Sequence, residues 1–477
     1  MSILSLTKKN ATSTLVIVIS ILFLLRLPFV LKDPYFSGDS GCRLHYANRI
    51  IFLPVGNRVW LPFLQLHIHI FYKLGLPYWA FKLIPSCYFF LALLFLVKLN
   101  RRIFGQNYSG FFFTLLMLFV FAYQPILFSL SVRLYQEMLE IAFFYMLLYM
   151  GALELRKSKS LLLVASIALF VRETFWASLF VLTISNYKKI LSDKTYQFSF
   201  MWLWCLVLGW FCAIPRLSFI KFARSPRWPL MIDTESNGIA NFLVSLKSLG
   251  CALWLERIPL AILGLGIIWV LRKLYFRPNV ITSPREEEFN FTTQFKIFSL
   301  SSIGLVYLYI LLFNPWEYTP CNYRMAVFLL SHLFIWIVLF YRETFDCPRF
   351  LKILSRIILV LSLFIVGGRN VSSWVVRDYS EDIKIYSEIE TLGKNISTTR
   401  LPNVCILGIP FWDAIGTLVA PTLHMNRKII DGEEDQSLEG CDIVITPSHF
   451  NFEDEKFMYY KEIKIKDQEY SFYTHKL

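Results

Sequence analysis

Residues 15–31, LVIVISILFLLRLPFVL, form an almost wholly apolar stretch that is followed at residues 32–47 by KDPYFSGDSGCRLHYA. An apolar run of this length predicts a helix that spans a membrane. Directly after it, Asp39 lies between two glycines, which let the backbone turn tightly and approach a ligand. A carboxylate at the mouth of a membrane helix is costly unless it is solvated, paired or used. We therefore interpret Asp39 as a candidate reactive acid, with a solvated loop aspartate as the alternative.

The composition favours a polytopic membrane protein. Of 477 residues, 56% are hydrophobic and only 17% are charged, against roughly 25% charged residues in soluble domains. Phenylalanine occurs 45 times, which suits lipid-facing and interfacial surfaces. The formal net charge is +14, but the basic residues cluster between apolar stretches, where they act as topology signals and headgroup contacts. With no recognisable nucleic-acid-binding motif in the sequence, we expect no nucleic-acid partner.

Eleven apolar windows predict an all-α polytopic transmembrane bundle of about 11 helices. The windows are residues 13–31, 79–98, 110–130, 137–155, 160–172, 174–187, 197–216, 254–273, 295–313, 323–341 and 351–367. The fifth and sixth are short and are flanked by basic clusters on both sides. This pattern favours two short helices that turn at Arg172-Glu173, and a single long tilted helix is the rival interpretation.

The distribution of lysine and arginine predicts the orientation of the bundle. With eleven spans, the basic short loops collect on one face, so we expect a cytoplasmic N-terminus. The opposite, extracytoplasmic face then carries a long loop at 32–78, a short turn at 131–137, a loop at 217–253 and the C-terminal tail. In the first loop, alternating aromatic, basic and apolar residues predict helices in the interface plane. We expect an integral membrane protein of the bacterial inner membrane, or one that faces the ER lumen in a eukaryote.

The composition changes near residue 370, which predicts a transmembrane domain over 1–369 and a small soluble α/β domain over 370–477. Two short apolar runs, 403–408 and 441–446, are typical of buried strands, and a helix is expected between them at 412–419. Cys405 and Cys441 could form a disulfide if this domain is exported. We favour the alternative that they are two ordinary small apolar residues.

Several ionisable side chains fall at the predicted external ends of the spans. Arginine suits a phosphate group because its planar fork binds two oxygens, and a carboxylate can activate a hydroxyl as general base. Arg172 stands out because short helices would leave its charge below the membrane surface, where charges are usually paired or functional. Headgroup anchoring and a structural network are the alternatives for this set of residues, which comprises Arg43, Arg133, Tyr135, Glu137, Arg172, Glu173 and Arg324.

His67 and His69 form an HxH pair in the first loop. A zinc site needs a third or fourth ligand, and residues i and i+2 do not face one another on a helix. We favour an interfacial role for both histidines.

The pattern resembles the GT-C superfamily of membrane glycosyltransferases, which includes protein O-mannosyltransferases, aminoarabinose transferases and arabinofuranosyl transferases. The resemblance rests on the first-loop acid in GDSG (38–41) with YAN (46–48), on WLP (60–62), on RLYQE (133–137) and on VRET (171–174). An external soluble tail also fits. The family often shows an Asp-Glu pair in this loop, whereas Ser40 follows Asp39 here, so Glu137 is the candidate second acid.

The resemblance implies an inverting transfer from a polyprenyl-phosphate-linked sugar donor, with Asp39 as general base on the acceptor. Arg172, Arg324 and Arg133 would bind the donor phosphate, while Glu173, Tyr135 and Arg43 support the site. Some relatives use a divalent metal and others do not, so a metal cofactor stays open. The acceptor, whether a lipid, a glycan or a protein, is equally open. A transporter or flippase of lipid-linked sugars is the alternative function, and a non-catalytic assembly protein is a second one.

Overall fold

The structure is a computed structural model. It describes residues 3–33, 36, 39–48, 53–55, 58–60, 62–104, 108–150, 159–172, 175–213, 295–305, 331–332, 335–336, 339, 350, 353–354, 357, 380–396, 401–410, 413–414, 417–430, 438–450, 452–465 and 468–475. For Asp39 it describes the backbone position only.

The N-terminal part is helical apart from one small hairpin, as far as the described residues show. Its helices are α1 (Ile3–Leu24), α2 (Leu27–Lys32), α3 (Asp39–His45), α4 (Pro62–Lys73), α5 (Tyr78–Phe104), α6 (Tyr108–Tyr123), α7 (Pro125–Val132), α8 (Glu137–Tyr149), α9 (Lys159–Val171), α10 (Phe175–Ser185), α11 (Tyr187–Ser192), α12 (Lys194–Ala213) and α13 (Phe295–Leu305). The hairpin pairs β1 (Leu53–Val55) with β2 (Arg58–Trp60) in antiparallel register.

Two stretches of the described chain are long and apolar enough, by length and composition, to cross a membrane. They are Ser13–Leu31 and Tyr78–Ile103. Shorter apolar helices are Phe113–Tyr123, Ser160–Val171, Phe175–Ser185 and Phe295–Leu305. The predicted count of eleven spans stays a prediction. The predicted span at 254–273 lies outside the described residues, and those at 323–341 and 351–367 are described only at scattered positions.

Helix α5 lies at the centre of the helical part, where it contacts α1, α6, α7 and α8. Its inward side chains, such as Phe81, Phe89 and Leu93, are fully buried. In lipid, helices associate mainly through close packing and hydrogen bonds, so these buried contacts make α5 the anchor of the N-terminal core. Helix α8, which carries Glu137, packs against α5, and α9, which precedes Arg172, packs against α8.

Two predicted spans, 13–31 and 110–130, are each broken into two helices. The first breaks at Arg26, where Pro28 opens α2, and the second breaks at Gln124, where Pro125 opens α7. Proline has no N–H to donate, so it is tolerated in the first turn of a helix but interrupts a continuous one. At the second break the Gln124 side chain accepts a hydrogen bond from the Leu127 N–H at 2.7 Å.

A buried arginine secures both breaks. Arg26 donates to the carbonyls of Leu22 and Ala122 and, at 2.9 Å, to the Ser131 hydroxyl. Its guanidinium carbon lies 3.7 Å from the centroid of the Phe89 ring. These bonds supply the pairing that a charge in an apolar interior requires. Arg26 therefore ties α1 to α5, α6 and α7, a role that the sequence interpretation missed.

The first loop contains α3, the β1–β2 hairpin and α4. Helices were expected within 32–78, and their predicted position in the interface plane stays a prediction, whereas the hairpin was not expected. Helix α4 ends at Lys73 and is closed two residues later by Gly75, which has a φ of 67°. There the Leu76 N–H bonds to the Phe71 carbonyl and the Gly75 N–H to the Tyr72 carbonyl, the pattern in which a left-handed glycine closes a helix.

The described residues of the C-terminal part combine helix with a five-stranded sheet, in agreement with the predicted small α/β fold, and residues 413–414 and 417 of the predicted helix 412–419 are helical. The elements are α14 (Ser380–Ile396), β3 (Asn403–Leu407), β4 (Asn426–Ile430), β5 (Ile443–Pro447), β6 (Phe457–Ile465) and β7 (Gln468–His475). The strand order is β4-β3-β5-β7-β6, with β3 parallel to β4 and β5, and β7 antiparallel to β5 and β6. The predicted domain boundary near residue 370 lies outside the described residues and stays a prediction.

A disulfide links Cys405 in β3 to Cys441, two residues before β5, with their Cα atoms 5.9 Å apart. The favoured interpretation of these cysteines as unlinked apolar residues was therefore wrong. The pairing could not be read from the sequence, because the two cysteines are 36 positions apart and only the parallel pairing of β3 with β5 brings them together.

Removal of the disulfide should destabilise the C-terminal sheet. We expect Cys441→Ser to lower the free energy of unfolding by about 2–4 kcal/mol, because the unfolded chain loses a constraint. Thermal unfolding of the full chain measures this, with Cys205→Ser at an exposed free cysteine as the matched control. Free alkylation of both Cys405 and Cys441 without reductant, in protein isolated from its native membrane, would contradict the linkage.

Candidate active site

Helix α3 is held against the turn between α7 and α8. The buried Ser40 hydroxyl donates to the Leu134 carbonyl at 2.9 Å. The buried Arg43 guanidinium donates to the side-chain oxygen of Gln136. Because Asp39 is the first residue of α3, these two bonds fix the backbone of the candidate acid close to this turn.

The same turn leads into two acidic residues. Gln136 is the N-cap residue of α8, Glu137 is its first residue and Glu140 lies one turn further along. Both carboxylates therefore lie in the first turn of a helix, where the helix dipole favours negative charge. The sequence analysis named Glu137 but missed Glu140, although the i, i+3 spacing places both on one helix face.

Arg172 joins both carboxylates. Its Nη1 atom lies 2.9 Å from an oxygen of Glu137 and 3.3 Å from an oxygen of Glu140. All three side chains are at most 3% exposed. Arg172 directly follows the last residue of α9, so residues far apart in the sequence meet here. Buried charges require such pairing, and this charge-assisted cluster locks α9 to the start of α8.

A second buried ion pair lies where α2 ends and α5 begins. The Lys82 ammonium lies 3.5 Å from the Asp33 carboxylate and also donates to the Asp33 backbone carbonyl. It lies 4.8 Å from the centroid of the Phe36 ring. Sequence reasoning missed this pair, although a lysine inside a predicted span is itself a signal of function or pairing.

Three further predicted site residues lie at or beside the α7–α8 turn, and two lie outside the described residues. Arg133 is the C-cap residue of α7 and is half-buried, as is Tyr135 in the same turn. Arg43 lies on α3 beside this turn. Glu173 and Arg324 lie outside the described residues. The structure therefore brings Glu137, Arg172, Arg133, Tyr135 and Arg43 to one region, together with the backbone of Asp39.

The two first-loop histidines make structural hydrogen bonds. His69 Nδ1 donates to the Ala47 carbonyl at 3.0 Å, and His67 Nδ1 donates to the Phe63 carbonyl at 2.8 Å. The described parts of the chain contain no group of three His, Cys, Asp or Glu side chains arranged to hold a metal ion. A metal cofactor stays open.

Comparison with known proteins gives a match in structure but not in sequence. No family model matches the sequence, and no curated protein matches it at a significant level. The chain is similar to the crystal structure of ArnT from Cupriavidus metallidurans bound to undecaprenyl phosphate, with 10% identity, a TM-score of 0.51 and coverage of 97% of both chains. The apo structure of the same protein gives 10% identity and a TM-score of 0.52, with 97% of this chain and 98% of that chain covered.

The arabinofuranosyltransferase AftD from Mycobacteria has a TM-score of 0.48 at 10% identity, with 98% of this chain and 40% of that chain covered. The two ArnT structures match over nearly the whole chain, so this chain shares the fold of ArnT, and the expected fold is confirmed.

Proposed function

We propose that the chain is an inverting glycosyltransferase that takes a sugar from a polyprenyl-phosphate donor on the extracytoplasmic side of a membrane. The supporting observation is the attachment of α3, whose first residue is Asp39, to the α7–α8 turn that leads into the Glu137–Arg172–Glu140 cluster. The shared fold adds support, because one of the matching ArnT structures contains undecaprenyl phosphate.

In this proposal Asp39 accepts the proton of the acceptor hydroxyl. The hydroxyl oxygen forms a bond to the anomeric carbon as the bond from that carbon to the phosphate oxygen breaks, and the polyprenyl phosphate leaves with the bonding electrons. A single displacement inverts the anomeric centre. General-base assistance of this kind contributes typically 10²–10⁴-fold to a rate.

The arginines divide into two roles. Arg172 already holds two carboxylates, so we propose that it orients Glu137 and Glu140 and meets the donor phosphate only when that pairing rearranges. Arg133 and Arg324 are then the first phosphate ligands, since a guanidinium fork matches phosphate oxygens. Arg43 and Tyr135 support the turn, and Glu173 supports Arg172.

The Cys405–Cys441 disulfide supports the proposed sidedness. Disulfides persist in oxidising compartments, which bacteria and eukaryotes maintain outside the cytoplasm. The basic short loops collect on the other face in the eleven-span interpretation. Together they support a C-terminal domain on the extracytoplasmic side, where the first loop and the α7–α8 turn also lie.

A reconstituted transfer assay tests the proposal. The purified chain in liposomes is given polyprenyl-phosphate donors carrying different labelled sugars, with and without a metal chelator, and release of polyprenyl phosphate is measured. We expect release with at least one donor when an acceptor is present. Translocation of an intact lipid-linked sugar across the bilayer without cleavage would instead establish the transporter, and the absence of both activities would favour an assembly protein.

A further inference from the structure

We propose that Arg427 of the C-terminal domain is a positioning residue that holds the helix carrying Asp39. This inference rests on the proposed function, in which Asp39 is the base. It concerns a contact between two parts of the chain separated by more than 380 positions in sequence.

Arg427 lies on β4, the edge strand of the C-terminal sheet, and reaches into the first loop. Its Nη2 atom donates to the Leu44 carbonyl at 3.1 Å and to the His45 carbonyl at 3.2 Å. Its Nη1 atom donates to the Thr422 carbonyl within its own domain at 2.5 Å. The guanidinium thus bridges the sheet domain and the last two residues of α3. Burial lowers the pKa of Arg427 to about 10, so it remains charged at neutral pH.

The end of α3 depends on such donors. The last carbonyls of a helix have no partner within the helix and must be satisfied from elsewhere. Here Gln65 donates to the Arg43 and Tyr46 carbonyls at 3.2 and 3.0 Å, and His69 donates to the Ala47 carbonyl. Arg427 donates to the Leu44 and His45 carbonyls, which lie between these. The five consecutive carbonyls of residues 43–47 therefore each accept a hydrogen bond from a side chain.

Helix α3 has only seven residues, and a helix of that length is not stable on its own in water. Its persistence therefore depends on tertiary contacts at its two ends. Ser40 and Arg43 fix the side that faces the α7–α8 turn, and Arg427 contributes a cation at the C-terminal end, where the helix dipole favours positive charge. Loss of Arg427 would fray α3 and shift Asp39 relative to Glu137.

A second contact joins the C-terminal domain to α4, so that this domain contacts both α3 and α4 of the first loop. His424 donates from Nε2 to the Leu76 carbonyl at 3.0 Å, just beyond the end of α4, and its ring stacks on Tyr72 at a centroid distance of 5.7 Å. Because α4 carries Gln65 and His69, this contact also supports the other donors to α3. The segment from His424 to Arg427 therefore sets the position of α3 directly and through α4.

The test uses the full-length protein and compares Arg427→Ala with Lys428→Ala, which removes a positive charge from the adjacent exposed position of β4. Hydrogen exchange followed by mass spectrometry should show the amides of α3 exchanging at least about tenfold faster in Arg427→Ala, because charge-assisted bonds are lost. Exchange in β3 and β5 should not change. In the transfer assay kcat should fall by about 10²-fold with little change in the donor KM, since a small misplacement of a reacting group is costly.

Arg427→Lys provides a second variant if Arg427→Ala does not fold. It keeps the charge but cannot hold both carbonyls with a planar fork, so we expect intermediate exchange and an intermediate kcat. Unchanged exchange in α3, or faster exchange with an unchanged kcat, would overturn the positioning role. If the wild-type chain transfers no sugar, the proposed function fails, and the exchange measurement alone still decides whether Arg427 holds α3.

Discussion

Asp39→Asn should lower kcat for sugar transfer by about 10²–10⁴-fold, the range that general-base assistance supplies. Asparagine keeps the shape of the side chain but cannot accept the proton of the acceptor hydroxyl. Since Ser40 and Arg43 anchor α3 through the α7–α8 turn, the helix should stay in place and the donor KM should change little. Initial rates at varied donor concentration measure both constants.

Glu455→Gln is a suitable control for this experiment, because it neutralises an exposed carboxylate in the C-terminal domain. It should retain wild-type rates. The pH profile adds a second readout: the acidic limb of kcat/KM, which reports protonation of the base, should disappear in Asp39→Asn. A rate within a few-fold of the wild-type rate in folded, membrane-inserted Asp39→Asn would remove the assignment of Asp39 as base.

The second large effect concerns stability. Arg172→Met should lower the free energy of unfolding by about 3–5 kcal/mol, because removal of one partner leaves buried charge uncompensated. The structure places the Arg172 guanidinium within 3.3 Å of both Glu137 and Glu140, and all three are buried. Thermal unfolding of the purified variants measures the loss.

Neutralising the partners should reverse most of that loss. We expect the triple variant Arg172→Met, Glu137→Gln, Glu140→Gln to be more stable than Arg172→Met alone, because the two carboxylates no longer carry charge in an apolar environment. Lys394→Met removes the exposed partner of Glu390 and should change stability by less than about 1 kcal/mol. Arg172→Met with a stability equal to that of Lys394→Met would show that the cluster does not hold α8 and α9 together.

The sequence predicted where most helices and strands lie, but it did not predict where two apolar segments divide into separate helices. Apolar runs marked most helices and the parallel strands β3 and β5, because these segments are buried over most of their length. The breaks at Arg26 and Gln124 were missed, although Pro28 and Pro125 signal them. The β6–β7 hairpin was missed as well, since its outer strand exposes five consecutive residues and shows little apolar periodicity.

The candidate site was predictable only in part. Glu137 and Arg172 were found as ionisable residues at the predicted external ends of the spans, and Arg172 stood out because a charge below the membrane surface needs a partner. The rule that a charge within a membrane span needs a partner would also have found Lys82 and Arg26. Both were overlooked because the segments around them were interpreted as uninterrupted apolar spans. Arg427 could not have been found in this way, because arginine in an exposed edge strand is ordinary and its contact with Leu44 exists only in the folded chain.

We expect Asp39 and the Glu137–Arg172–Glu140 cluster to line one cavity, in which the donor phosphate binds. An experimental structure of the full chain in a lipid bilayer with undecaprenyl phosphate tests this most directly. We predict that the phosphate lies beside the first turn of α3, within contact of Arg133 or Arg324, and that the Asp39 carboxylate points into the same cavity as Glu137. A phosphate bound elsewhere, with the Asp39 carboxylate directed into bulk water, would contradict the account.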